Sequence, residues 1–310
     1  MVDKSLNSYI VKIDNNHADF SPAIFAIYKY LKENKSKKLQ KIIEKYSGVY
    51  FSPSLLRSFL ENPAGCLFSE LVEDSVSVYA EAGTITHQAL EEYYRIPPFA
   101  RQAHHLENIK NYKLNMIEDK HLYNLVNNYI SNYFNVNDYL NGKLSIEDQL
   151  ECDCELRIKD DLIINGENVG RCSCIIDRVD YRNGKVFIVD YKTGMMNSKK
   201  LTFDGYLSQL LIYKLLAEQE LNESVSGTYI CGLKDKKYFE LDCSKENENK
   251  LHKMINKFNN HIDKCHNSMI YNYTNKGFFN TPKMSAFRSI MTDTSLQNVE
   301  IPIEISTGTF

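Results

Sequence analysis

Ile175-Ile176-Asp177-Arg178-Val179-Asp180-Tyr181-Arg182-Asn183-Gly184-Lys185-Val186-Phe187-Ile188-Val189-Asp190-Tyr191-Lys192-Thr193-Gly194 is the stretch on which the fold turns. Asn-Gly between two strand-like runs is the strongest short-range hairpin signal, because both central residues of a type I′ turn need positive φ. With Asn183 and Gly184 at the centre, Arg182 faces Lys185, and Asp177 faces Asp190 further along the ribbon. Directly opposed side chains share a face with Cβ atoms about 5 Å apart, where like charges repel. Alternation adds Lys192 to the same face. Ile175, Val179, Val186 and Ile188 make that face largely apolar. Two carboxylates meeting there need a cation or a shared proton. A divalent ion with oxygen ligands is one answer, and a structural Asp–Lys–Asp cluster is the other. The β-branched residues on both strands favour the ion.

Outward from the hairpin, residues 149–192 read as short strands broken at Asn165-Gly166 and Asn183-Gly184. Residues 204–221 read as a helix, apolar nearly all round from 206 to 216 and therefore buried against a sheet. On it Gln209 and Tyr213 stand at i, i+4, so both polar groups share one side. Two strand candidates follow within 226–243, then a helix over 245–266. Towards the N-terminus, 83–95 reads as a helix carrying His87 and stopped by Pro97-Pro98, and a loosely helical, Asn-rich stretch runs to about 141. Ser52 or Ser54 caps a helix that Pro63 ends. Residues 23–46 are a lysine-rich helix, either a solvated face or a phosphate-touching one. This order predicts an α/β domain with an N-terminal helical addition.

Composition sets the outer bounds. The 310 residues are 43% hydrophobic and 25% charged, which excludes wholesale disorder. No apolar run approaches the ~20 residues of a membrane span. Met1–Ile10 lacks a basic segment followed by an apolar run, so no secretory signal is expected and the chain reads as soluble and cytoplasmic. A net charge of −3 argues against coating long duplex DNA by charge alone. It leaves room for a nucleic-acid enzyme whose cleft and metal ion offset phosphate locally. The eight cysteines then read as free thiols. Cys152-x-Cys154 and Cys172-x-Cys174 invite a zinc site, but C-x-C on flat strands is poorly shaped for a tetrahedron, and small core residues are the better reading.

Gly83-x3-His87, Asp177 in IDRVD, Asp190-x-Lys192 in DYKTG and Gln209-x3-Tyr213 together resemble the ordered motifs of the PD-(D/E)XK nucleases, in the RecB/AddB/Cas4-like branch. Ser52–Pro63 resembles the helix that opens the nuclease core of that branch. The resemblance implies a restriction-endonuclease-like core, a central mixed β-sheet flanked by helices, over 48–266. Residues 1–47 are then a helical extension and 267–310 a tail of unassigned role. It also implies a DNA nuclease, an exonuclease in recombination, repair or phage DNA processing, in a bacterial or phage-infected cell. A catalytically inactive module that binds DNA or a protein is the alternative.

The implied metal is Mg²⁺ or Mn²⁺, held by Asp177, Asp190, the backbone carbonyl of Tyr191 and His87, whose imidazole favours Mn²⁺. Lys192, Gln209 and Tyr213 complete the catalytic set. Arg178, Lys199 and Lys200 are expected to touch DNA, presented as a single strand or a duplex end. Iron–sulfur members of the branch carry a cysteine where Asn62 stands, followed by a C-terminal trio; Cys66, Cys231, Cys243 and Cys265 do not match that spacing, so no cluster is expected. The absence of a G-x4-G-K-[ST] motif assigns any helicase, recombinase or annealing partner to a separate chain.

Overall fold

The computed structural model describes residues 50–61, 77–144, 150–268, 270–272 and 300–302. The lysine-rich 23–46 segment, Cys66 and nearly all of 267–310 lie outside them. In chain order the elements are β1 (Tyr50–Phe51), α1 (Pro53–Glu61), α2 (Val78–Tyr94), α3 (Ala103–Asn115), α4 (Lys120–Leu144), β2 (Glu151–Ile164), β3 (Glu167–Arg182), β4 (Lys185–Lys192), α5 (Ser208–Leu221), β5 (Val225–Gly232), β6 (Lys237–Glu240), α6 (Lys245–Ser268), β7 (Ile270–Asn272) and β8 (Glu300–Pro302). No helix among the described residues is long and apolar enough to cross a membrane.

The chain divides into two compact units, one of Met1–Ser75, Val169–Arg171 and His252–Phe310, the other of Val76–Asn168 and Cys172–Leu251. In the first, the Ser52 hydroxyl caps α1 by accepting from the Leu55 N–H at 3.2 Å. Phe51 packs edge-on against Phe258 at 6.0 Å. β7 and β8 pair antiparallel.

The second unit holds the site. Its sheet runs β3-β4-β5-β6, with β2 paired to β3. β3–β4 and β5–β6 are antiparallel, while β4–β5 is parallel. A parallel pair needs a crossover, and α5 supplies it. Asn165 and Gly166 have φ of 57° and 80°, Asn183 and Gly184 of 50° and 69°, so both Asn-Gly turns adopt the left-handed backbone expected of them. The hairpin register follows: Arg182 faces Lys185, Val179 faces Ile188 and Arg178 faces Val189.

Alternation along β4 then sorts the core. Phe187, Val189 and Tyr191 join Leu90, Leu106, Val126, Ile130 and other buried residues of α2, α3 and α4. Val186, Ile188 and Asp190 take the other face, where the buried Leu210, Leu211, Ile212 and Leu216 belong to α5.

Three local expectations shift. The helix expected at 83–95 begins at Val78, because Ser77 rather than Gly83 marks its start; the Ser77 hydroxyl accepts from the Ala80 N–H at 3.2 Å. The Asn-rich stretch is two helices, and Asp119 caps the second through the Leu122 N–H at 2.7 Å. The helix expected from 204 becomes regular only at Ser208. Gly205 lies so close to Lys200 that an added Cβ would stand 2.2 Å from its carbonyl oxygen. The chain kinks at that contact before α5 begins.

Candidate active site

The end of the hairpin away from its turn gathers side chains from β3, β4, α2, α5 and β2. One position beyond the Arg178–Val189 pair, Asp177 accepts the backbone N–H of Tyr191 at 2.7 Å. Its other oxygen stands 3.4 Å from Nδ1 of His87. The ring of His87 rests edge-on against that of Tyr191 at 5.7 Å. Asp190 is 2% exposed. Its Oδ1 accepts from Gln209 Nε2 at 3.0 Å, and its Oδ2 pairs with Lys192 Nζ at 2.5 Å. The same Gln209 amide donates to the Tyr213 hydroxyl at 2.6 Å. The i, i+4 pair on α5 therefore converges on the second carboxylate. Lys192 Nζ also sits 4.9 Å from the centre of the Tyr206 ring, a contact supplied by the turn that precedes α5.

Charge is distributed unevenly between the two aspartates. Burial pushes the Asp177 carboxyl up, but His87, Lys192 and the Tyr191 N–H outweigh it and hold it below the ordinary range. Burial also pushes Asp190 up, and with Asp177 close by Lys192 offsets this only in part, leaving it raised. His87 and Lys192 both lose by burial and gain more from the carboxylates, so each is held towards its charged form.

The structure adds a residue that the sequence did not single out. Glu155 of β2 joins His87 and Asp177, with one ligand atom of each lying within 4.8 Å of the others. Burial raises its carboxyl, and the charges of Asp177 and Glu91 raise it further. Glu155 has φ of 52° inside a strand, a conformation rare for a non-glycine residue. Nothing in ECDCELRI announces that backbone, so alternation alone does not find this carboxylate. Two carboxylates and an imidazole are a donor set that suits Mn²⁺ as well as Mg²⁺. Asp190 is not part of the three-residue group; its oxygens are engaged by Lys192 and Gln209.

Arg178 must be corrected. It is fully buried, facing away from the site, and not available to DNA. Its Nε meets Asp180 at 2.7 Å, and its NH1 donates to the hydroxyls of Tyr133 and Tyr191 at 2.6 and 2.8 Å. An arginine with those partners is part of the core. Lys199 is exposed, while Lys200 Nζ donates to the Met195 carbonyl at 2.6 Å. Cys152 and Cys154 pack against the α2–α4 core, and Cys172 and Cys174 are buried. Among the described residues these thiols belong to no group of three or more metal-ligating side chains. Cys231 is buried, and Cys243 lies 3.1 Å from the Thr228 hydroxyl.

Comparison with curated proteins finds no match. The family model described as the PD-(D/E)XK nuclease superfamily matches residues 50–276, a span that contains every side chain of this site. A mixed sheet flanked by helices, an antiparallel ribbon ending in Asp177 and Asp190-x-Lys192, and a match over well over half its length agree: the chain belongs to the PD-(D/E)XK nuclease superfamily, with its restriction-endonuclease-like α/β fold.

Proposed function

We propose that the protein is a divalent-metal-dependent deoxyribonuclease of the RecB/AddB/Cas4-like branch, lacking the iron–sulfur cluster, which acts as an exonuclease in recombination, repair or phage DNA processing. The observation that carries the reading is the meeting of His87, Glu155 and Asp177 beside the Lys192–Asp190 pair. A purely structural cluster has no need of three ligand-type groups from three elements around a half-exposed opening.

His87, Glu155 and Asp177 would hold the metal, with Asp190 and the backbone carbonyl of Tyr191 as further oxygen donors. A bound Mg²⁺ or Mn²⁺ supplies Lewis-acid polarisation of the phosphodiester and makes a water more acidic. Lys192 orients the attacking water and offsets charge that grows on the phosphoryl oxygens. Gln209 fixes Asp190 from the other side and ties it to Tyr213, so that amine and carboxylate keep their relative placement.

The test is digestion of end-labelled single-stranded and duplex DNA with Mg²⁺, with Mn²⁺ and with EDTA. The proposal expects cleavage with either ion, none with EDTA, and release of short products from one labelled end. Retention of DNA without cleavage under every condition would favour a nuclease-fold binding module. Cleavage that persists in EDTA would reject the metal role.

A further inference from the structure

The cavity around the three-residue group is larger than an ion requires. It encloses about 490 Å³, within the size range of ligand sites. One wall is a single stripe of α2, from Ala80 through Gly83, Thr84, His87 and Gln88 to Glu91. These positions follow the i, i+3, i+4 repeat of one helix face and span about 16 Å. On the N-terminal side of His87 the stripe is made of small side chains, which leaves the room. The facing wall is Glu155 and Arg157 of β2 with Ile175 and Asp177 of β3.

Charge decides what that room accepts. Glu91 is paired with Arg95 at 2.5 Å, and Asp177 faces His87. Arg157 is exposed, and among the described residues no hydrogen bond or ion pair within 4.0 Å holds its guanidinium. Among the described residues it is the only Lys or Arg lining the cavity. Its charge acts on the neighbouring Glu155 carboxyl, and a divalent ion held by His87, Glu155 and Asp177 would offset those acidic groups and leave the guanidinium to a ligand that brings its own negative charge. Its planar fork matches two oxygens of a phosphate. Ile175, 39% exposed on the same wall, offers an apolar surface to a sugar or base.

We infer that Arg157 grips a phosphate of the substrate strand next to the one being cleaved, with the strand lying along the α2 stripe. This rests on the nuclease reading and adds to it a phosphate subsite. Arg157 takes the role that the sequence suggested for Arg178.

The experiment uses a Lys192→Ala host, which keeps every carboxylate and permits equilibrium binding without cleavage. Fluorescence anisotropy of a labelled 12-nucleotide DNA is measured with Mg²⁺ over a range of salt, with and without Arg157→Ala. Loss of the charge-assisted contact is expected to weaken binding about tenfold. It is also expected to make the log–log salt slope shallower by about 0.7, one phosphate's share on a single strand. Mn²⁺ binding by calorimetry should be unchanged. Equal affinity and slope in the two proteins would overturn the subsite while leaving the nuclease reading intact. Weakened Mn²⁺ binding would also overturn it, since Arg157 would then act through the metal ligands. Failure of the Lys192→Ala host to bind DNA at any salt would overturn both.

Discussion

Asp177 and Arg178 are neighbours on one strand, yet they belong to two electrostatic worlds. Arg178 and Asp180 are 0% and 1% exposed, and each finds its charged partner inside the protein. Asp180 receives Arg178 at 2.7 and 3.1 Å and Arg182 at 3.5 Å. Tyr133 and Tyr191 take the remaining arm of the guanidinium, Tyr94 lies beneath it at 4.6 Å, and the hydroxyls of Tyr94 and Tyr133 share a hydrogen bond. On the opposite face His87 and Asp177 are 27% and 12% exposed, and Glu155 adds a second carboxylate to the group. One cluster is closed, its ions paired with one another inside the core. The other concentrates donors around an opening. Charged residues of similar kind therefore serve the core when every partner is internal, and serve chemistry when a partner must come from outside.

The largest effects should separate the two faces by what they damage. Lys192→Ala and Asp190→Ala are each expected to reduce DNA hydrolysis by about a thousandfold or more, the scale on which a transition-state contact acts. Their circular dichroism should match the parent. Retained hydrolysis in either purified variant would remove the face from the chemistry. Arg178→Met should do the reverse, costing about 3–5 kcal/mol in urea unfolding, because it leaves the buried Asp180 carboxylate with only the longer Arg182 contact and the Tyr133 and Tyr191 hydroxyls without their donor. A loss below about 1 kcal/mol would show that the buried pair is not the closed structural unit described.

Glu155 comes next. Glu155→Gln keeps the shape and removes the charge, and Mn²⁺ affinity should fall at least tenfold, the lower end of what even an outer-shell partner of a metal site is worth. Calorimetry reads this without reference to cleavage, and an unchanged affinity would take Glu155 out of the ligand set.

The hairpin was legible because Asn183-Gly184 pins a two-residue turn, which fixes the facing pairs from Arg182–Lys185 to Arg178–Val189, with Asp177 and Asp190 one position further along. The Gln209–Tyr213 pair was legible for a similar reason, since helical spacing alone puts both on one side. Glu155 was hidden because its placement depends on a left-handed backbone that a glutamate does not advertise. Arg178 was misread because its hydroxyl and ring partners, Tyr94 and Tyr133, lie on α2 and α4, far away in sequence. The helix start at Ser77 was missed since Gly83 reads as a boundary, although it sits inside the helix.

The smallest effect extends the comparison to a third ion pair. Glu248, 5% exposed, accepts Lys214 at 2.8 Å and Lys245 at 2.9 Å. Burial works against its ionised form, but the two amines outweigh it and lower the carboxyl below its ordinary value. A depressed folded value gives stability that is present above the unfolded pKa of about 4.3 and lost as pH falls through the folded one. Thermal midpoints measured from pH 6 down to pH 3 should therefore fall, and Glu248→Gln should flatten that decline. An identical acid slope in the variant would show that the pair is not coupled to folding.

The most direct test is to locate the ion. Crystals soaked in Mn²⁺ and measured at the manganese absorption edge should give an anomalous peak between His87, Glu155 and Asp177, on the open face of the hairpin. A peak elsewhere, or none at that site with the three side chains in place, would contradict the claim that this end of the ribbon is built to hold a divalent cation.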